Sequence, residues 1–201
     1  MTQIQPFEDY DDVTFDGVEQ ESGHIQETTF TDCIFKNCQL RETEFTNCRF
    51  NDCSFEACDL SLITVRDCSF REVEFKDSKV VGVNWISAEW PRISSGSPIN
   101  FKDCVIDYST FIGLTLTKIR FNGCTAKDVE FSDANLTSAD FRDTTLTASR
   151  FNNTNLTKAN FEGAKEYTID MGLNILKQAR FTVPEAYSLL HSTSDLILVD
   201  V

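Results

Sequence analysis

The chain is 201 residues long, one domain's worth, with a quarter of its residues charged and a net charge of -14. A surplus of that size repels nucleic acid and anionic membranes and favours basic partner surfaces, so neither direct nucleic-acid binding nor membrane association is expected. No basic, apolar-cored N-terminus reads as a signal peptide and no apolar run reaches spanning length, which makes the cytoplasm the expected location.

Residues 1–24 are a concentrated negative end. Glu8, Asp9, Asp11, Asp12, Asp16, Glu19 and Glu21 all precede Lys36, the first lysine or arginine. Val13-Thr14-Phe15 and Ile25 already stand in register with the apolar positions from Phe30 onward, so the reading here is an acidic cap in which coiling starts near residue 13 with an irregular first turn.

Over residues 25–90 a period of five governs the chain. Large apolar residues recur at Phe30, Phe35, Leu40, Phe45, Phe50, Phe55, Leu60, Val65, Phe70, Phe75, Val80, Trp85 and Trp90. Neither the helical period of 3.6 nor the strand period of 2 produces a five. All eight cysteines, Cys33, Cys38, Cys48, Cys53, Cys58, Cys68, Cys104 and Cys124, lie two residues before a repeat centre, in a slot elsewhere held by Ala or Val. A buried free cysteine behaves as a small hydrophobe, so this spacing reflects the repeat rather than a disulfide or metal framework.

Residues 91–100 form an irregular junction with two prolines, a glycine and three serines. The eleven-residue step from Trp90 to Phe101 reads as two pentapeptides plus one residue, which predicts a kink between two runs of coil rather than a projecting loop. Trp85 and Trp90, larger than the usual centre, would fill the space so opened. Residues 101–163 then return to the period of five, with thirteen centres from Phe101 to Phe161 in unbroken register.

Residues 164–201 read as a helical module. Leu173 and Leu176 have helical spacing within Asp170–Ala179, and Thr182-Val183-Pro184-Glu185 is a capping box opening a short helix through Ala186, Leu189 and Leu190. An apolar strand, Leu196-Ile197-Leu198-Val199, comes next. A monomeric rod needs only a polar cap, so two helices and an apolar tail predict a two-fold homodimer. The candidate interface is Leu173, Leu176, Phe181, Leu189, Leu190, Leu196, Ile197, Leu198 and Val199.

No catalytic, cofactor or metal site is predicted. His24 and His191 lie at opposite ends of the chain, the glycines are scattered, and the many Ser and Thr occupy turn positions where hydroxyls bond to backbone.

Ala134-Asn135-Leu136-Thr137-Ser138 and Ala159-Asn160-Phe161 resemble the unit of the pentapeptide-repeat family: a small residue, Asp or Asn, Leu or Phe, Ser or Thr, then a variable residue. That resemblance implies an all-β solenoid, a right-handed four-sided β-helix with four pentapeptides per coil, here followed by a short α-helical dimerisation segment. Twenty-six repeats would make about 6.5 coils, a rod of roughly 31 Å at ~4.8 Å per coil. Residues twenty apart would then stack, putting Asp32, Asp52 and Glu72 in one column whose neighbours repel by about 1 kcal/mol in water. With the terminal acids, the candidate partner-binding residues are Glu8, Asp9, Asp11, Asp12, Asp16, Asp32, Asp52 and Glu72.

Cys58–Ile63, Gly82–Pro91 and Ala179–Ala186 further resemble the albicidin-resistance members of that family and, more loosely, its microcin-immunity and Qnr quinolone-resistance members. That group implies a DNA-mimicking dimer that binds DNA gyrase or topoisomerase IV and protects it from a topoisomerase poison. Qnr members carry projecting loops, which the short junction here does not match, so albicidin or a related natural product is the expected poison. The other reading is a rigid β-helical adaptor for a non-topoisomerase partner.

Overall fold

The computed structural model describes residues 3–91 and 96–192, with side chains through Leu190. It is a four-sided β-solenoid whose short strands all pair in parallel. Each pentapeptide lays one inward-pointing centre on one face, and a backbone corner carries the chain to the next. On face 1, Asp9–Asp11, Thr29–Thr31, Arg49–Asn51 and Ser69–Arg71 stack in register, twenty residues per coil. On face 2 the ladder runs from Thr14–Asp16 through Ile34–Lys36, Ser54–Glu56 and Val73–Lys76 to Ile99–Lys102 and Phe121–Asn122. Faces 3 and 4 keep the same repeat, for example Gln39 with Asp59 and Phe45 with Val65.

Two side chains per pentapeptide point inward, and they do different work. The centres build the apolar core. On face 2, nine phenylalanine rings from Phe15 to Phe181 stack with centroids 4.4 to 5.5 Å apart, which at ~4.8 Å per rung makes a rod of about 38 Å. The small residue two places earlier is a donor as well as a spacer. Cys38 Sγ donates to Phe15 O at 3.3 Å, Ser78 Oγ to Phe55 O at 3.2 Å and Thr154 Oγ1 to Phe131 O at 3.0 Å. All eight cysteines are free and buried, and burial pushes the Cys53 thiol up to about 12.

The solenoid extends further at both ends than the period alone indicates. The ladder is already formed at Asp9–Asp11, Phe7 N–H donates to Gln26 O, and buried Ile4 is held over the open end by reciprocal bonds with the Gln20 amide. At the other end Asp170–Ala179 is not helical. It completes another coil, in which Ile175 bridges Asn155, Leu176 packs inward as a repeat centre, and Arg180–Phe181 pairs with Asn160–Phe161. Asn174 replaces the small residue and donates to Phe151 O at 2.7 Å. The helical spacing of Leu173 and Leu176 is a coincidence that the five-residue register overrides. The capping box is not made either: Thr182 Oγ1 accepts from Gly163 N–H, and Glu185–Ser192 is a 3-10 helix.

The junction also departs from the expected kink. Phe75 pairs with Phe101, so this coil takes 26 residues, and its six surplus residues fall between Trp90 and Ile99. The face 2 ladder passes the insertion without a break, whereas on face 1 no ladder bond joins Glu89–Pro91 to Thr115–Thr117 among the described residues. The face 2 register thus runs past the junction with no offset, and residues 92–95 of the junction lie outside the described residues. Above it the second aromatic stack lies on face 1, Tyr10 through Phe70 to Trp90; below it that stack lies on face 4, from Trp85 to Phe111, Phe131 and Phe151. The two tryptophans carry the aromatic column from one face to the other. Trp90 Nε1 donates to Trp85 O at 2.8 Å, while Trp85 is wholly buried among Phe70, Phe75 and Phe101.

Candidate partner-binding surface

The outward surface is laid out by the corners. At nearly every one, the residue two beyond the centre has positive φ, from 49° at Asp77 to 73° at Gly163. That left-handed conformation admits Gly, Asn and Asp more readily than other residues. The acids of this column therefore have a conformational reason as well as an electrostatic one.

All eight candidate acids are exposed. Asp12, Asp32, Asp52 and Glu72 share the corner between faces 1 and 2, the amides of the first three donating to Thr31, Asn51 and Arg71 carbonyls one coil on. Asp9 and Asp11 flank Tyr10 on face 1, and Asp16 lies on face 2, where it accepts from Asn37 Nδ2 at 2.9 Å. Glu8 leads into the first rung, its carbonyl accepting from Thr29 N–H. The column is not bare throughout, because Arg71 reaches Asp52 at 2.6 Å. Past the insertion the same corner reverses character, with Lys118, Ser138 and Lys158 in the equivalent positions.

A second acidic surface comes together only in the folded coil. Asp9, Glu27, Asp67 and Glu89 surround Arg49 in a shallow depression of about 430 Å³ across face 1 and its corner with face 4. The twenty-residue register of 27, 47 and 67 was its only signal. At the junction, Glu74 is gripped by Lys76 at 2.9 Å and, across Asn100, by Arg120 at 2.7 Å. The Lys76 bond, with Arg120 beyond it, holds this carboxyl below the usual range despite partial burial. Among the described residues no group of three or more His, Cys, Asp or Glu side chains is placed to hold a metal ion, and no helix is long and apolar enough to cross a membrane.

The candidate dimer residues divide. Leu176 and Phe181 point into their own core, Leu189 is buried and Leu190 half-buried, so much of their apolar surface is already used within the chain. Leu173 is exposed, in company with Met171, Ile175, Val183 and Tyr187. Leu196, Ile197, Leu198 and Val199 lie outside the described residues.

A four-sided parallel coil with a five-residue repeat narrows the relatives to one kind. The pentapeptide repeat region matches over residues 28–111 and 95–161. The chain belongs to the pentapeptide repeat family. Two trypsin-treated forms of QnrB1, described as a plasmid-mediated fluoroquinolone resistance protein, are similar to this pentapeptide repeat protein along its whole length. One superposes with a TM-score of 0.56 at 16% identity over 98% of this chain and 100% of the other, the second with 0.57 at 16% over 94% and 100%. No curated protein matches the chain by sequence. At that identity the likeness establishes a common solenoid architecture.

Proposed function

We propose that this protein binds a bacterial type II topoisomerase, DNA gyrase or topoisomerase IV, and protects it from a topoisomerase poison by occupying a DNA-binding groove. The observation that carries this reading is where the charge lies. Residues 1–90 hold 19 acids against 7 bases, whereas residues 91–201 hold 13 against 11. The first five rungs therefore carry a net charge of -12 over about 24 Å, or about one charge per 2 Å. Duplex DNA carries one per ~1.7 Å.

The DNA-like part is the N-terminal half of the rod, not its whole length. A homodimer joined through the exposed apolar residues near Leu173 would set two such halves at the distal ends of one longer rod, with nearly neutral coil between them. The fold shared with QnrB1, a plasmid-mediated fluoroquinolone resistance protein, supports this class of target. The six surplus residues after Trp90 remove the reason for setting quinolones aside, so both natural-product and quinolone poisons belong in the test.

Purified gyrase and topoisomerase IV, assayed with albicidin, a microcin or a fluoroquinolone, provide that test. Micromolar protein is expected to restore supercoiling or decatenation against at least one poison. Neither rescue nor inhibition with any of them would remove the proposal, and growth protection across the three drugs would name the poison countered.

A further inference from the structure

Three stretches on successive rungs carry no charged residue at all: 61–65, 80–88 and 108–117. They meet on face 4 and its corner with face 3. There Leu62, Ile86, Tyr108 and Ile112 are 48%, 44%, 55% and 40% exposed. Leu62 leans onto the next corner, where a Cβ added to Gly82 would lie 2.7 Å from its Cδ2. Asn84 bridges Thr110, which puts Ile86 beside Ile112. The stripe is therefore continuous over three rungs, and at Leu62 it borders a hollow of about 430 Å³ that also touches Thr64, Asn84 and Ser87.

Lys127 Nζ lies 5.9 Å from the Tyr108 ring centroid, but the fold gives little reason for an apolar residue at these positions. Leu62 and Tyr108 hold φ of 60° and 59°, a conformation in which a bulky residue is an outlier and which Asp, Asn and Gly fill on many other rungs. Ile86 is held outward by a 3-10 turn, Trp85–Ser87, with Asn84 Oδ1 accepting from Ile86 N–H at 3.1 Å and Ser87 Oγ donating to Asn84 O at 2.8 Å. Behind that turn sits fully buried Trp85, so the stripe is rigid. Around it Glu44, Asp67, Asp107 and Asp128 outnumber Arg66 and Lys127, making the rim net negative.

Rigid apolar side chains within a negative rim are complementary to one kind of surface. We infer that the Leu62–Ile86–Tyr108–Ile112 stripe is an apolar anchor for a protein partner that sets aliphatic or aromatic side chains among lysines and arginines. The inference rests on the topoisomerase reading: the acidic half supplies attraction that salt screens, and the stripe supplies the contact that salt does not.

Leu62→Asn and Tyr108→Asn place at each corner a residue better suited to positive φ, and Ile86→Thr and Ile112→Thr restore the Thr found at the equivalent Thr46. The fourfold variant should unfold at or above the wild-type temperature. Its affinity for purified gyrase is expected to fall by at least about tenfold at both ~50 mM and ~300 mM salt, whereas Asp12→Asn/Asp32→Asn/Glu72→Gln should lose affinity mainly at the lower salt. Wild type that binds gyrase while the fourfold variant binds within about twofold of it at both salts overturns the anchor and leaves the topoisomerase reading standing. Wild type that binds neither gyrase nor topoisomerase IV overturns both. A fourfold variant that changes from dimer to monomer in sedimentation makes the stripe a contact between copies, and the anchor falls.

Discussion

At a single corner, two demands meet: left-handed backbone and whatever lies one coil away. Gly163 has φ 73°, and a Cβ there would come within van der Waals overlap of Asp143 Oδ1; Gly123 stands in the same relation to Asp103. Gly163→Ala should cost roughly 1 to 2 kcal/mol for the backbone alone, with the collision added to it. Asp143→Ala in the same chain should recover the collision and leave the backbone cost, as read from urea unfolding of the two variants. The inward slot two before each centre makes a different prediction. Cys38→Ser keeps a donor for Phe15 and Lys36 carbonyls, as Ser78 does natively, and should change stability by no more than about 1 kcal/mol. The cysteine positions were legible from spacing. Their hydrogen-bonding role was not, because for Cys33, Cys38, Cys48, Cys53 and Cys58 one carbonyl the thiol meets lies 23 residues back, on the previous coil.

Among the elements, the face 2 stack and the junction decide stability. Phe101 has a ring above, a ring below and Trp85 across the core, whereas Phe181 ends the column on Phe161. Phe101→Ala should cost about 3 to 5 kcal/mol and Phe181→Ala less, measured by denaturant unfolding. Glu74 ties the two runs together through Lys76 and Arg120, and its folded carboxyl is depressed. Its contribution is therefore full above the unfolded value of ~4.3 and lost as pH falls through the lower folded value. The stability of Glu74→Gln should fall less steeply than wild type on acidification below about pH 5, as followed by thermal unfolding. Reading the junction from sequence failed for a definite reason. Eleven residues divide by five into two repeats and a remainder, yet the continuing Phe75–Phe101 ladder makes the step a single face with six residues over.

For the molecule as a whole, charge is polarised along the axis. Four of the candidate acids form one corner column in the N-terminal half, and lysines take over that corner past the insertion. Neutralising Asp12, Asp32, Asp52 and Glu72 to their amides should leave the fold intact. Relief of repulsion offsets loss of the Asp52–Arg71 pair, itself worth about 0 to 1 kcal/mol at the surface. The same change should weaken gyrase binding and flatten its salt dependence, while neutralising Asp133 and Asp143 in the other half should do neither. Surface plasmon resonance over a salt series reads both.

Period, inward positions and the stacking of residues twenty apart were determined by the amino-acid sequence, because one short unit repeated in register can bury its apolar side chains only by coiling on itself. The ends of the coil, the single face step that takes the surplus residues and the apolar stripe on face 4 were decided in three dimensions. Each depends on which residues from different rungs become neighbours. That adjacency is set by ladder bonds between distant segments, which a local period does not count when a coil gains six residues.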